Sequence, residues 1–80
     1  MSKNILKNTI KVHRAKNNLT QEQLSLLVGV TRTTINLVER GRWVPSTVLA
    51  LKIARVFDVP FEEVFYLDTE NHMDKETKGG

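Results

Sequence analysis

Arg32, Thr33, Asn36 and Leu37 stand close together in GVTRTTINLVERGRWVPS, residues 29 to 46. Their types suit contact with the base edges of double-stranded DNA. A guanidinium can bond bidentate to guanine and a carboxamide to adenine, a threonine offers a hydroxyl or a methyl, and an apolar side chain meets the thymine methyl. Groups suited to phosphate lie around them: Gln21, Thr31, Thr34, Arg40, Arg42 and the Trp43 indole N–H. Contacts of that kind position a protein on the backbone and carry no base information. The competing reading of Arg32, Thr33 and Asn36 is a solvated helix face, and that of Leu37 an isolated surface leucine. Covalent chemistry finds no support. There is no cysteine, and His13 and His72 have no converging carboxylates, so neither a metal site nor a catalytic triad can be assembled. The expectation is a protein that is not an enzyme, with no cofactor and no small-molecule substrate.

These side chains share a direction only if a helix spans about residues 31–40. Ile35 and Val38 would then face inward. Steps of ~100° per residue turn Thr33, Asn36, Leu37 and Arg40 outward and leave Arg32 on the N-terminal turn. Four further helices can be placed around it. The first runs from about Thr9 to Asn17, with Asn8 as candidate N-cap. Ile10 and His13 form its inner side, His13 as a packing residue, with Val12 and Arg14 as further candidates. The second opens on a capping box, Thr20 with Gln23, and on Leu19 and Leu24 at the staple positions. It continues through Leu24, Leu27 and Val28 to Gly29, with Ser25 small enough for a close crossing. Ser46 caps a fourth helix with Leu49, Ala50, Ile53, Ala54 and Phe57 on one side. Pro60 starts a short fifth through Phe65, where Val64 and Phe65 can close the core. NILK and FYLD, near the two ends, are candidate strands whose antiparallel pairing the sequence leaves open. The fold class is therefore all-α, with a small two-stranded sheet as its only β candidate.

Eighty residues suit one small domain, placed at residues 1–68. Residues 69–80, with Met73 as their only apolar side chain, are expected to be a polar disordered tail. Charge is unevenly spread. Residues 1–57 carry ten Lys or Arg against Glu22 and Glu39, a formal +8, and residues 58–80 carry seven acids and two lysines, −5. A basic body suggests a polyanionic partner. Apolar runs fall far short of the ~20 residues of a membrane span, and no signal peptide is visible, so a cytoplasmic location is expected with no membrane partner.

Two helices joined by a short glycine-containing turn at residues 21–40 form a helix-turn-helix, whose second helix enters the DNA major groove. The text LTQEQLSLLVGVTRTTINLVERG, then Pro45-Ser46 and LALKIARVFDVP, resembles the phage-repressor family, the Cro/CI or XRE type. The resemblance covers about residues 9 to 66. It implies a compact five-helix domain that binds operator DNA, commonly as a dimer on a palindrome. It also implies a structural ion pair between Arg14 and Glu39. The FYLD segment resembles single-domain members that add a strand pair and dimerise at that end, so Val64, Phe65, Tyr66 and Leu67 are the candidate dimer residues. His13, Leu37 and Trp43 depart from the usual residues of the family. The expected function is a sequence-specific transcriptional regulator, a homodimeric repressor. An antitoxin or restriction-control regulator of the same fold is one alternative, and an interaction-only module is the other.

Overall fold

Three hydroxyl side chains start three of the helices. The Thr20 hydroxyl accepts from the Gln23 N–H at 3.0 Å, and Gln23 Oε1 of the side chain accepts from the Thr20 N–H at 2.9 Å. Thr31 accepts from the Thr34 N–H at 3.2 Å and Ser46 from the Leu49 N–H at 3.1 Å. Each satisfies backbone donors that the first turn of a helix leaves without partners. A computed structural model describes residues 4–69 of the chain. Among them the order is β1 (Asn4–Asn8), α1 (Ile10–Lys16), α2 (Gln21–Val28), α3 (Arg32–Glu39), α4 (Thr47–Phe57), α5 (Phe61–Val64) and β2 (Phe65–Thr69). None of these helices is long and apolar enough to cross a membrane.

The candidate strands do pair. β1 and β2 are antiparallel, with Asn4 opposite Thr69, Leu6 opposite Leu67 and Asn8 opposite Phe65. Phe65, which the sequence left to either the end of the fifth helix or the FYLD strand, opens the strand. Thr69 likewise belongs to the sheet rather than to the polar tail. The rest of the expected tail lies outside the described residues.

The core is built by all five helices and the first residue of β2. Ile10, Leu24, Val28, Ile35, Val38, Leu49, Ala50, Ile53, Ala54, Phe57, Val64 and Phe65 form one buried cluster. His13 is also buried, stacked on Phe57 with ring centroids 5.2 Å apart. Two sequence expectations are corrected here. Val12 is exposed rather than inward-facing. Leu27 is 62% exposed, and Ser25 takes the buried position on α2 instead. The close crossing of α2 with its neighbours admits the small side chain, whose hydroxyl bonds to the Glu22 carbonyl at 2.6 Å.

The turn between α2 and α3 depends on its backbone sign. Gly29 has φ +79°, a left-handed conformation that costs a residue without Cβ little. Its N–H and that of Val30 both reach the Ser25 carbonyl, closing the end of α2. Asn8 ties distant ends together. Its side-chain oxygen accepts from the Ile10 N–H at 3.0 Å, and its amide nitrogen donates to the Val38 carbonyl at 3.0 Å, near the end of α3. Thr9 is the N-cap residue of α1, but its hydroxyl bonds to the Glu63 carbonyl of α5.

Thr20→Ala is expected to lower folding stability by ~0.5–2 kcal/mol, and Thr20→Gly by only a few tenths. Urea unfolding of the three proteins checks this. Equal losses for the two variants would remove the cap as the cause.

Candidate nucleic-acid interface

α3 begins two residues after Val30, and its direction is set by what it buries. Ile35 and Val38 are inside the core, and the helix packs mainly against α2. The opposite side carries the groups expected to meet a ligand. Arg32 is the first residue of α3 and is exposed, as is Thr33. Asn36 and Leu37 are half-buried. Leu37 therefore keeps part of its surface against the protein and is less prominent than the rotation alone suggests. Arg40 caps the C-terminal end of α3 and is exposed, and Arg42 and Trp43 follow it on the exposed loop. Trp43 also borders a small cavity under β1 with Ile5, Leu6, Val44 and Pro45.

The proposed phosphate groups fall at both ends of α3 and at the start of α2. The Thr31 hydroxyl lies 3.1 Å from that of Thr34, so the two hydroxyls are partners in the free protein. Gln21 is the first residue of α2 and half-buried. Beside these lie the exposed guanidinium groups of Arg32, Arg40 and Arg42. The arrangement can hold an extended anion along α3 and present donors and acceptors to whatever lies in front of it.

Behind this surface stands a charged pair. Arg14 donates through Nε to Glu39 Oε2 and through Nη2 to Glu39 Oε1 at 3.2 Å, and its Nη1 donates to the Leu19 carbonyl at 2.9 Å. The Glu39 side chain is only 7% exposed. Gln21 Nε2 donates to the same Glu39 Oε1 at 3.1 Å, and Asn36 Nδ2 lies 3.4 Å from Gln21 Oε1. Four residues from three helices, Arg14 on α1, Gln21 on α2, and Asn36 and Glu39 on α3, are therefore connected. The resemblance implied the pair of Arg14 with Glu39, but neither its extension through Gln21 to Asn36 nor the Asn8 tie was visible in the sequence, because nothing in local spacing says which polar side chains meet across helices.

The candidate dimer residues separate into two kinds. Val64 and Phe65 are 0% and 2% exposed, so they are spent on the protomer's own core and cannot meet a partner. Tyr66 and Leu67 are exposed. A second apolar surface, not foreseen, is an open groove beside α4 lined by Val48, Leu51, Ala54, Val59 and Phe61, with Lys52 and Arg55 at its rim. Among the described residues no three His, Cys, Asp or Glu side chains gather as metal ligands.

Comparison with known proteins agrees with this fold. The helix-turn-helix family model HTH_3 matches residues 10–64. An uncharacterized HTH-type transcriptional regulator of Bacillus subtilis is 47% identical over 66 residues, 82% of this chain and all of that protein. One of Methanocaldococcus jannaschii is 48% identical over 66 residues, 81% of this chain and all of that protein. Among solved structures, the restriction-modification controller protein C.AhdI from Aeromonas hydrophila has a TM-score of 0.64 and is 35% identical. That likeness covers 68% of this chain and 82% of the controller protein.

Proposed function

The chain belongs to the helix-turn-helix family HTH_3, the XRE or Cro/CI type of transcriptional regulator, and on that premise we propose that it represses transcription by binding a palindromic operator as a homodimer. By family it is a regulator and not an enzyme. The observation that carries the proposal is the outer side of α3. Arg32 and Thr33 are exposed, Asn36 stands beside them, and Ile35 and Val38 hold the helix down from behind. A face kept only for solvent has no need of a guanidinium and a carboxamide flanked at both ends by phosphate-binding groups.

In this reading α3 lies in a major groove. Arg32, Thr33, Asn36 and Leu37 address base edges, and Gln21, Thr31, Thr34, Arg40, Arg42 and Trp43 address the backbone. A homodimer places two such helices in half-sites ~34 Å apart. Tyr66, Leu67 and the groove beside α4 are the apolar surfaces that a second copy would cover. The groove carries Lys52 and Arg55, with Asp58, Glu62 and Glu63 following in sequence. A surface of both signs can complement itself across a two-fold axis.

Selection of bound sequences from a random duplex pool at near-physiological salt tests the proposal. An enriched palindrome supports it. A folded protein that enriches nothing would point instead to an interaction-only module. Two variants then separate the roles. Arg32→Ala is expected to lose ~1–3 kcal/mol on the enriched site and to relax one base position. Arg42→Ala is expected to weaken all sequences alike and to reduce the salt slope by about one. Identical behaviour of the two would contradict the division into base reader and phosphate anchor.

The likeness to C.AhdI supports a second reading, control of a restriction-modification system. Restriction and methylation genes beside this gene, with the enriched palindrome upstream of them, would favour it.

A further inference from the structure

We infer that Gln21, oriented by Glu39, is a positioning residue that fixes which way the Asn36 carboxamide faces, and so sets the base preference at the position Asn36 reads. The inference rests on the reading of α3 as the base-contacting helix.

The argument is one of polarity. A carboxylate only accepts hydrogen bonds, whereas a carboxamide has a donor end and an acceptor end. Glu39 is nearly enclosed and held by Arg14, which donates to both of its oxygens. The carboxamide of Gln21 meets Glu39 Oε1 at 3.1 Å, so it must present its nitrogen there. An oxygen in that place would face an anion. With Nε2 committed, Gln21 Oε1 points the other way, toward Asn36 at 3.4 Å. That oxygen accepts, so the end of Asn36 beside it must be the donor Nδ2. The direction of three consecutive groups therefore follows from one buried charge, in the order Glu39, Gln21, Asn36.

The consequence lies at the outer end. Asn36 gives one of its two N–H groups to Gln21 and retains the other together with Oδ1. One donor beside one acceptor matches the N7 acceptor and the N6 amino donor of adenine in the major groove, and it opposes guanine, which presents N7 and O6 as two acceptors. A carboxamide free to turn over could offer other patterns. The asparagine thus reads one pattern because it is held in one orientation.

A role for Gln21 at the phosphate backbone alone makes a different prediction. Loss of a phosphate contact lowers affinity for every sequence and leaves preferences unchanged. Loss of the relay changes preference at one position in each half-site.

The test is selection from the random duplex pool with wild type, Gln21→Met, Gln21→Ala and Asn36→Ala, each first checked for native circular dichroism. Gln21→Met keeps side-chain length without an amide, and Gln21→Ala removes the side chain, so one of them folding is enough. The expected result is a fall of about tenfold in adenine-over-guanine preference at the position that Asn36→Ala identifies, with other positions kept. Adding Asn36→Ala to Gln21→Met should have no further effect at that position. A uniform loss of affinity with that preference intact overturns the inference and leaves the DNA-binding reading standing. No enriched sequence for wild type overturns both.

Discussion

Glu39→Ala is expected to cost ~3–5 kcal/mol of folding stability, because it leaves a charge enclosed without its partner. Arg14 sits with its side chain 16% exposed, and both its Nε and its Nη2 point at the missing carboxylate. Only the Leu19 carbonyl would still accept from it. Gln21 would lose the acceptor for its amide nitrogen as well. Domains of this size have total stabilities of roughly 4–12 kcal/mol at ~0.05–0.15 per residue, so the variant should lie near the limit of folding. Urea unfolding followed by circular dichroism measures the loss. The double variant Arg14→Met with Glu39→Leu separates the penalty of a stranded charge from the worth of the pair, because replacing both members of a buried pair with apolar residues is often close to neutral. A single variant that costs less than about 1 kcal/mol would place the pair among weakly contributing surface pairs. A double variant as unstable as the single one would show that the lost packing and hydrogen bonds, not the unpaired guanidinium, dominate.

Ile35→Ala is expected to cost ~2–5 kcal/mol, and Ile35→Val ~0.5–1.5. Ile35 is fully buried and lies on the side of α3 that packs against α2. The expense has two sources, the apolar area returned to water and the void left behind in a core too small to close over it. Leu27→Ala removes a side chain of the same size from an exposed site and is expected to stay within ~0.5 kcal/mol. The same unfolding measurement on the three variants decides between burial and residue type. DNA binding supplies a second reading. Ile35→Ala should lose affinity for the selected operator at temperatures where most of the protein is still folded, since α3 is then held less firmly. Unchanged operator affinity in the folded fraction would show that α3 keeps its place without this side chain. A large loss from Leu27→Ala would mean that Leu27 is covered in solution, which association of copies could do.

Leu27 also shows where reading by period fails. On α2 the positions of Leu24, Leu27 and Val28 fit one apolar stripe, and Ser25 reads as a small residue at a close crossing beside it. The protein buries Ser25 and turns Leu27 out, because the partners of α2 approach from a slightly different side than an isolated helix would choose. On α4 the same method succeeded for Leu49, Ala50, Ile53, Ala54 and Phe57, where the apolar stripe is longer and its centre is better defined. Phe65 was left to either the fifth helix or the FYLD strand for a related reason. Its side chain suits either element, and the strand is selected only when β1 lies alongside.

The amino-acid sequence by itself determined the helix starts at Thr20, Thr31 and Ser46, the turn at Gly29, and the direction of Ile35 and Val38. Each of these depends on hydroxyl-to-amide distances, backbone sign or angular spacing within a few residues, and such quantities are settled locally. Tertiary structure alone decided the pairing of Leu6 with Leu67, which of Val64, Phe65, Tyr66 and Leu67 turn inward, and the extension of the Arg14–Glu39 pair through Gln21 to Asn36. Those contacts join residues 15 to more than 50 positions apart. They exist because a shared core closes the loops between them, and no local pattern records which polar ends will meet when it does.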